Sequence, residues 1–271
     1  MGWFRSRESE ALDAGFLRPV GLPSQLAELE RTAVMGVLNV TPDSFSDGGQ
    51  YNAIDVAISR GLELVAQGAD IVDIGGESTR PGAERVTVEE ELARTIPVVK
   101  ALSARGVAIS IDTMRAEVAQ AAVEAGACII NDVSGGKADS EMFALLAKMD
   151  VPYVLMHWRG HSTEMNSLTD YNDVVLDVYR EVDDQVFDVC HSGVDSGRLV
   201  LDPGIGFAKT AEQNWSLLTH LDSLQRLGFP LLVGASRKKF LGELLAADGS
   251  PRPVNQRESA TTAITTLLAL A

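Results

Sequence analysis

Short apolar runs recur along the chain, and stretches with the spacing of an amphipathic helix separate them. Seven runs are visible, and nearly all end in a polar or charged residue next to Gly or Pro: 34–39, 71–74, 108–111, 128–130, 153–156, 199–201 and 231–233. Strands that read as continuous apolar runs are typical of a parallel sheet, because both faces of such a sheet are covered. The pattern therefore predicts seven parallel strands with polar side chains at their carboxyl ends.

Helical periodicity fills the intervals between these runs. The predicted helices span 53–67, 87–105, 117–124, 140–149, 171–191 and 211–221, and a last one begins at about residue 256. Strict alternation of strands and helices indicates βα units. Seven such units in a row favour a closed (β/α)8 barrel, the TIM barrel, over an open sheet.

The length of 271 residues suits one such domain, because α/β barrels of roughly 200–250 residues form single domains. We predict an N-terminal extension over residues 1–30 and the barrel domain over residues 31–271. The eighth βα unit, which should close the barrel, is missing from the pattern. Its absence would leave two unpaired strand edges, so either an early segment fills the gap or, as we expect, the chain is truncated.

Charge and hydropathy exclude several classes of function. The net charge of −15 opposes binding to nucleic acid, which requires a clustered basic surface. No apolar run approaches the roughly 20 residues that span a bilayer, and residues 1–30 lack the hydrophobic segment of a signal peptide. Cys128 and Cys190 have no neighbour at the spacing of a metal or redox pair. We therefore predict a cytoplasmic protein with no membrane or nucleic-acid partner.

The polar residues at the strand ends are the candidate functional set, since the active sites of such barrels lie at the carboxyl ends of the strands. We expect convergence on one pocket of Asn39, Asp112, Asn131, His157, Asp202 and the region of Ser236. Any one of them could instead cap the following helix. Together, the two acids and Asn131 suit a flat heterocycle with several N–H donors. A metal cage is the less favoured alternative, because the density of carboxylates and imidazoles is low.

Three further stretches carry candidate chemistry. Ser236 precedes three cations, Arg237 to Lys239, whose position at a helix start opposes the helix dipole and therefore suggests an anionic or carbonyl-bearing ligand. The turn at 202–207 lacks the order of a nucleotide P-loop, so its glycines more simply allow a flat ligand to approach. The loops at 39–49 and 80–82 suit anion or magnesium binding, and Phe45 either packs within its loop or covers an aromatic substrate.

Over 34–242, seven motifs in order resemble those of the dihydropteroate synthase family. They read M-G-V-L-N-V-T-P-D-S-F-S-D-G-G, G-A-D-I-V-D-I-G-G-E-S-T-R-P-G-A, S-I-D-T-M-R, I-I-N-D-V-S-G-G, V-L-M-H-W, L-D-P-G-I-G-F-A-K and G-A-S-R-K-K-F-L-G. The resemblance implies condensation of 6-hydroxymethyl-7,8-dihydropterin diphosphate with p-aminobenzoate, giving 7,8-dihydropteroate and pyrophosphate in folate synthesis. It also implies Mg²⁺ as the cofactor, a homodimer that uses the late helices, and competition by sulfonamides at the p-aminobenzoate site.

The resemblance also implies roles for individual residues of this chain. The catalytic set would be Asn39, Asp112, Asp202 and Lys238, with Asn39 as the magnesium ligand. The pterin site would contain Asp112, Asn131, Met156, Asp202, Gly206, Phe207 and Lys238. The p-aminobenzoate site would contain Phe45, Thr79, Arg80, Pro81 and Ser236, and Asp43 and Asp47 would belong to a lid formed by the first loop.

Two other functions remain open from the sequence. The family carries an R-x-H motif on strand eight that binds pterin and diphosphate, and this chain has no such segment after residue 242. A catalytically impaired pterin-binding relative is therefore one alternative. A methyltetrahydrofolate-dependent methyltransferase, which shares the barrel and a pterin site, is the other, although the first loop and the S-R-K-K-F-L-G segment resemble the synthase.

Overall fold

A computed structural model describes residues 17–41, 49–78, 85–161, 164, 167–247 and 249–270. Parallel strands and helices alternate along the chain, as the sequence pattern predicts. The strands are β1 (Met35–Asn39), β2 (Ile71–Gly75), β3 (Ala108–Asp112), β4 (Ile129–Asp132), β5 (Tyr153–Met156) and β6 (Leu199–Asp202). The helices are α1 (Ser24–Ala27), α2 (Gly49–Ala66), α3 (Val88–Ser103), α4 (Ala116–Glu124), α5 (Met142–Leu146), α6 (Val174–His191), α7 (Ala211–Thr219), α8 (Leu221–Gln225), α9 (Lys239–Leu244) and α10 (Glu258–Leu270).

The six strands form one parallel sheet in the order β1-β2-β3-β4-β5-β6. The predicted seventh strand lies in the expected place next to β6 but pairs at a single residue, through the parallel bridge between Leu201 and Leu231. Two backbone bonds of 2.9 Å support it, from the Leu201 N–H to the Pro230 carbonyl and from the Leu232 N–H to the Leu201 carbonyl. The prediction of a full strand over 231–233 is wrong, because the chain turns away at 236–237 soon after this bridge.

The two-residue period of the strands sorts their side chains into an outer and an inner layer. Outward-facing residues such as Leu38, Ile74 and Ile111 are buried in the main core between sheet and helices. Inward-facing residues at the N-terminal ends of the strands form a second apolar cluster, the barrel floor: Met35, Ile71, Ala108, Ile129, Val154, Val200 and Leu232. Helices outside and a filled interior are the features of the (β/α)8 barrel, so the predicted fold is confirmed for the described strands.

The segment before β1 lies against the barrel floor. Leu26 of α1 is 5% exposed and packs into the floor cluster, and the Val20 N–H donates to the Gly197 carbonyl at 2.8 Å. Residues 17–30 therefore contact the barrel at its N-terminal end, opposite the predicted site. The domain division at residue 30 stays a prediction.

The helix bounds differ from the predicted ones where local geometry interrupts the periodicity. The predicted helix at 140–149 is reduced to α5, and the one at 211–221 is split into α7 and α8. His220 has φ −127° and ψ 34°, which is not helical, and it separates the two. The last helix begins at Glu258 after a 3-10 turn over Val254–Gln256. None of the helices in the described ranges is long and apolar enough to cross a membrane.

Candidate active site

The carboxyl ends of the strands bring four predicted site residues to the interior of the barrel. Asp112, Asn131, Met156 and Asp202 are each an even number of residues from a floor residue on the same strand, so they face inward. The register places Asp112 beside Asn131 and Met156 beside Asp202. Asn131 is 8% exposed and Asp202 is 9% exposed. The structure thus joins the carboxyl groups of the half-buried Asp112 and the buried Asp202 and the amide of Asn131 in one upper layer.

Asp73 is a further acid in this interior, and the sequence interpretation missed it. It lies in the middle of β2 and is 4% exposed. The Asn131 side chain donates from Nδ2 to Asp73 Oδ2 at 3.1 Å, which orients the amide. Burial raises the pKa of Asp73, and the nearby Asp202 adds to this effect. The available signal was a lone acid inside the apolar run I-V-D-I, in phase with inward-facing Ile71.

Asp112 lies in the most acidic part of the interior. Burial raises its pKa well above the ordinary value, and four neighbouring acids add to the shift: Asp73, Glu91, Asp132 and Glu77. A cation or a set of N–H donors placed next to Asp112 would relieve this repulsion, because opposite charge and hydrogen bonds favour the carboxylate form. The acidic surroundings of Asp112 therefore favour a ligand that donates hydrogen bonds or carries positive charge.

An ion-pair cluster outside the predicted set supports Asp112 from the side of α3. Arg115 pairs with Glu77 Oε2 at 2.9 Å and also with Glu91. Thr113 donates to Glu91 at 2.6 Å. These groups and Asp112 line one small cavity, so the positive charge of Arg115 offsets part of the negative charge of Glu77 and Glu91 next to Asp112. Sequence reasoning gave no signal for this cluster, because its members are spread over several loops and α3.

Lys238 reaches the interior from the start of α9. Its Nζ lies 4.4 Å from the centroid of the Phe207 ring and donates to the Ile205 carbonyl. Gly206 has φ +81°, and a Cβ there would lie 2.5 Å from Lys238 Cδ. Burial lowers the pKa of Lys238 to about 8, against the opposing effect of Asp202. Gly206 therefore makes room for the lysine stem, and the predicted neighbours Gly206, Phe207 and Lys238 do lie together.

Burial and two nearby cations have opposite effects on the pKa of Asp202. Burial raises its pKa, whereas Lys238, the Gly204 N–H and Lys209 lower it. The Gly204 N–H donates to Asp202 Oδ1 at 2.7 Å. Cations lower the pKa of Asp202, whereas acids raise that of Asp112, so the two carboxyl groups have different electrostatic surroundings.

Of the three consecutive cations at 237–239, Lys238 is the one that contacts the turn at 202–207. Arg237 lies 3.7 Å from Glu258, and Lys239 lies 3.2 Å from Glu243. Ser236 is exposed at the turn that precedes Lys238. The predicted cationic patch is therefore a single inward lysine next to two cations paired on the surface.

His157 does not join the pocket, and its predicted convergence is wrong. It follows inward-facing Met156 by one residue, so its side chain points to the helix side of the sheet. Its Nε2 lies 2.8 Å from Glu181 of α6, and its Nδ1 lies 3.0 Å from Lys209 Nζ. Burial, together with the nearby Lys209, lowers the pKa of His157 to about 4. The ring is thus neutral and engaged outside the barrel interior.

Asn39 lies at the carboxyl end of β1 with an exposed side chain, paired in register with Gly75. The described residues contain no group of three or more His, Cys, Asp or Glu side chains placed to hold a metal ion. Six further predicted site residues lie outside the described residues: Asp43, Phe45, Asp47, Thr79, Arg80 and Pro81.

Comparisons with known proteins identify the family. The family described as "Pterin binding enzyme" matches residues 35–271. The dihydropteroate synthase of Mycobacterium leprae is 55% identical over 239 residues, covering 88% of this chain and 84% of that protein. The structure of Xanthomonas albilineans dihydropteroate synthase in complex with 7,8-dihydropteroate has a TM-score of 0.78 at 41% identity and covers 89% of this chain and 85% of that one.

A third relative extends the comparison to an inhibitor complex. The Yersinia pestis dihydropteroate synthase in a sulfonamide drug complex has a TM-score of 0.83 at 40% identity, covering 94% of this chain and 90% of that one. The family match over 35–271 includes the strand ends that carry Asp112, Asn131 and Asp202. The chain therefore belongs to the dihydropteroate synthase family of pterin-binding enzymes.

Proposed function

We propose that this chain condenses 6-hydroxymethyl-7,8-dihydropterin diphosphate with p-aminobenzoate, forming 7,8-dihydropteroate and pyrophosphate. One observation carries the proposal: Asp112, Asn131 and Asp202 lie at the carboxyl ends of their strands and face one interior that Lys238 also reaches. A pterin ring is flat and presents several N–H donors to such acceptors. The family membership supports the same reaction.

In this proposal, the ring lies across the upper layer of the barrel. Asp112 and Asp202 accept from its N–H groups, and the amide of Asn131, oriented by Asp73, both donates and accepts. Met156, which is 1% exposed, and Phe207 cover its apolar faces. Lys238 is the cation available to a carbonyl oxygen of the ring.

The chemical step needs no protein nucleophile. The bond between the pterin methylene carbon and the diphosphate oxygen breaks, and the electron pair leaves with the diphosphate. Positive charge then spreads over the pterin, where buried carboxylates stabilise it most strongly because the surroundings have a low dielectric constant. The aniline nitrogen of p-aminobenzoate forms the new bond to the methylene carbon and loses a proton. Asp112 and Asp202 thus act electrostatically in the step that generates charge.

The p-aminobenzoate site is proposed at the mouth of the barrel. Ser236 is exposed there, two residues before Lys238. Phe45, Thr79, Arg80 and Pro81 are the other proposed contacts, with Asp43 and Asp47 in the covering loop. Sulfonamides would compete at this position, as expected for analogues of p-aminobenzoate.

Mg²⁺ is the proposed cofactor, and Asn39 is its proposed protein ligand. Magnesium prefers oxygen ligands and commonly takes one or two from the protein, with substrate phosphates and water completing the shell. An exposed amide oxygen at the carboxyl end of β1 fits this demand. When bound, the ion would stabilise the charge of the departing diphosphate.

The proposed function is tested by incubating the purified chain with both substrates and Mg²⁺ and measuring dihydropteroate and pyrophosphate. We expect equal amounts of the two products. Binding of the pterin substrate without turnover would instead identify a catalytically impaired pterin-binding relative, and methyl transfer from methyltetrahydrofolate would identify a methyltransferase. A homodimer and a cytoplasmic location stay predictions, the former to be tested by sedimentation.

Replacing Asn39 by alanine is expected to raise the Mg²⁺ concentration for half-maximal activity by about tenfold, equivalent to about 1.4 kcal/mol of binding. The reason is that Mg²⁺ loses one of the few oxygen ligands that the protein supplies to its coordination shell. Magnesium-dependent binding of the pterin diphosphate, followed by calorimetry, should shift equally. Asn255→Ala, at an exposed asparagine far along the chain, is the matched control. An unchanged Mg²⁺ requirement in Asn39→Ala would remove Asn39 from the metal site.

A further inference from the structure

Lys209 occupies a position that the proposed reaction does not use. It closes the loop between β6 and α7, and its Nζ contacts three acceptors: the Gly204 carbonyl at 3.1 Å, the Phe207 carbonyl at 3.1 Å and His157 Nδ1 at 3.0 Å. A lysine ammonium has three N–H donors and no acceptor. The three contacts therefore satisfy the whole group and connect the loop to the end of β5.

The contacts continue from His157 into α6. His157 Nε2 lies 2.8 Å from Glu181 Oε2, and Glu181 also accepts from Arg159 through both of its oxygens. Because Lys209 donates to Nδ1, the proton of the neutral ring is on Nε2 and is donated to Glu181. Glu181 thereby fixes the tautomer that Lys209 requires.

The network then returns to the same loop. The Arg159 guanidinium lies 3.6 Å from the centroid of the Tyr171 ring, and the Tyr171 hydroxyl donates to the Ala208 carbonyl at 3.2 Å. Ala208 has φ +48°, a left-handed conformation that is unfavourable for a residue with a Cβ. The Phe207 carbonyl accepts from Lys209 Nζ and the Ala208 carbonyl accepts from the Tyr171 hydroxyl. These hydrogen bonds hold the backbone at Ala208 in place.

The loop so held carries part of the proposed pterin site. Gly206 and Phe207 belong to it, and Asp202 precedes it at the end of β6. The centroid of the Phe207 ring lies 4.4 Å from Lys238 Nζ. A shift of the Phe207 carbonyl would therefore move the ring that covers the pterin and the contact of that ring with Lys238. Lys209 itself donates to loop carbonyls and to His157, on the helix side of the sheet.

Charged groups from several elements surround Lys209 and affect its protonation. The pKa of Lys209 is lowered to about 7: burial has the largest effect, Lys238 and Arg159 act in the same direction, and Asp202 and Glu181 oppose them. For Glu181, burial is outweighed by the hydrogen bonds from His157 and Arg159, which lower its pKa to about 2. Near neutral pH the network thus contains an ionised Glu181 and a neutral His157.

We propose that Lys209, supported by His157 and Glu181, is a positioning residue that sets the place of Phe207 against the pterin ring. It therefore determines the affinity for the pterin substrate and not that for p-aminobenzoate. This inference rests on the proposed function, because it presumes that the pterin lies against Phe207.

The test uses Lys209→Met, which keeps the length of the side chain and removes its donors. We expect the KM for the pterin diphosphate to rise by about tenfold or more, and the KM for p-aminobenzoate to stay within about twofold. Equilibrium binding of the pterin diphosphate should weaken to the same extent. Lys148→Met, at an exposed lysine, is the matched control and should behave as the wild type.

Two substitutions of His157 provide a test that does not depend on the folding of Lys209→Met. Asn places an amide oxygen near the position of Nδ1, so His157→Asn keeps the acceptor for Lys209. Gln places its amide near Nε2, so His157→Gln keeps the contact with Glu181 and loses Lys209. We expect His157→Asn to have a KM for the pterin substrate within about threefold of the wild type, and His157→Gln to resemble Lys209→Met.

The outcomes separate this inference from the proposed function. A wild-type chain that neither binds the pterin diphosphate nor forms dihydropteroate overturns the proposed function. An active wild type with an unchanged pterin KM in Lys209→Met overturns the inference alone. The same holds if both KM values rise equally, or if the Asn and Gln variants of His157 are indistinguishable.

Discussion

Replacing Asp112 by asparagine is expected to lower kcat/KM by about 10²–10³-fold, as when one preorganised partner of developing charge is removed. The same change should raise Tm by about 2–4 °C, corresponding to about 1 kcal/mol. The gain follows because Asp112 lies among four acids that raise its pKa: Asp73, Glu91, Asp132 and Glu77. Steady-state kinetics and thermal unfolding of the same preparation measure both effects.

The pH dependence gives this prediction a second readout. Between the ordinary pKa of an aspartate and the raised pKa of Asp112, the folded chain holds a proton that the unfolded chain has released. The contribution of Asp112 to stability therefore falls as pH rises through this window. Asp112→Asn lacks that contribution, so its advantage in Tm over the wild type should grow with pH.

Asp70 provides the matched control at the opposite end of the barrel. Its pKa is lowered chiefly by the hydrogen bond from Arg31, with distances of 2.6 and 2.7 Å to its two oxygens. Asp70→Asn should lower Tm slightly and leave kcat/KM unchanged. A lower Tm in Asp112→Asn, or unimpaired turnover, would contradict the electrostatic account of the site.

Replacing Arg115 by methionine is expected to lower the free energy of unfolding by about 3–5 kcal/mol, the usual cost of breaking a buried ion pair. Tm should fall by about 10 °C or more. Arg115 is 13% exposed and pairs with Glu77 and Glu91, which are 9% and 1% exposed. Its loss leaves two buried carboxylates with too few partners. Denaturation by urea measures the change.

A compensating variant decides whether the unpaired charges cause this loss. Adding Glu77→Gln and Glu91→Gln to Arg115→Met should recover most of the stability, because no buried charge then lacks its partner. Arg226→Met is the control, since Arg226 and Asp222 form an exposed pair at 2.9 Å; its cost should stay within about 0.5 kcal/mol. Failure of the triple variant to recover would indicate that Arg115 acts through packing and not through charge.

Local pattern in the sequence determined the alternation of elements and the strand ends that carry the site. β5 is predicted to the residue, and the polar residues after the other apolar runs are found where parallel strands end. The reason is that burial on both faces requires continuous apolar runs, and a βα unit places each run in the same direction. The assignment of Asp112, Asn131 and Asp202 to one interior followed from topology alone.

A shift of one residue along a strand moves a side chain from the interior to the helix side of the sheet. A continuous apolar run does not show which of its residues face inward. Met156 faces inward and His157 outward, so the imidazole that the sequence pattern assigns to the pocket lies instead between Glu181 and Lys209. Asp73 is the opposite case, because the sequence pattern does not assign it to the site and the structure places it in the interior, where it orients Asn131. Strand register and phase, which long-range packing sets, decide such cases.

By itself, the sequence determined the barrel class, the motifs of the family and the acids at the strand ends, because these depend on short stretches in a fixed order. Only the tertiary structure decided which charged side chains contact one another. Arg115 joins Glu77 and Glu91, and Lys209 joins a loop, a strand end and α6. These partners are 24 to 52 residues apart for the pairs Arg115–Glu91 and Lys209–His157, and no local pattern encodes a contact at that separation.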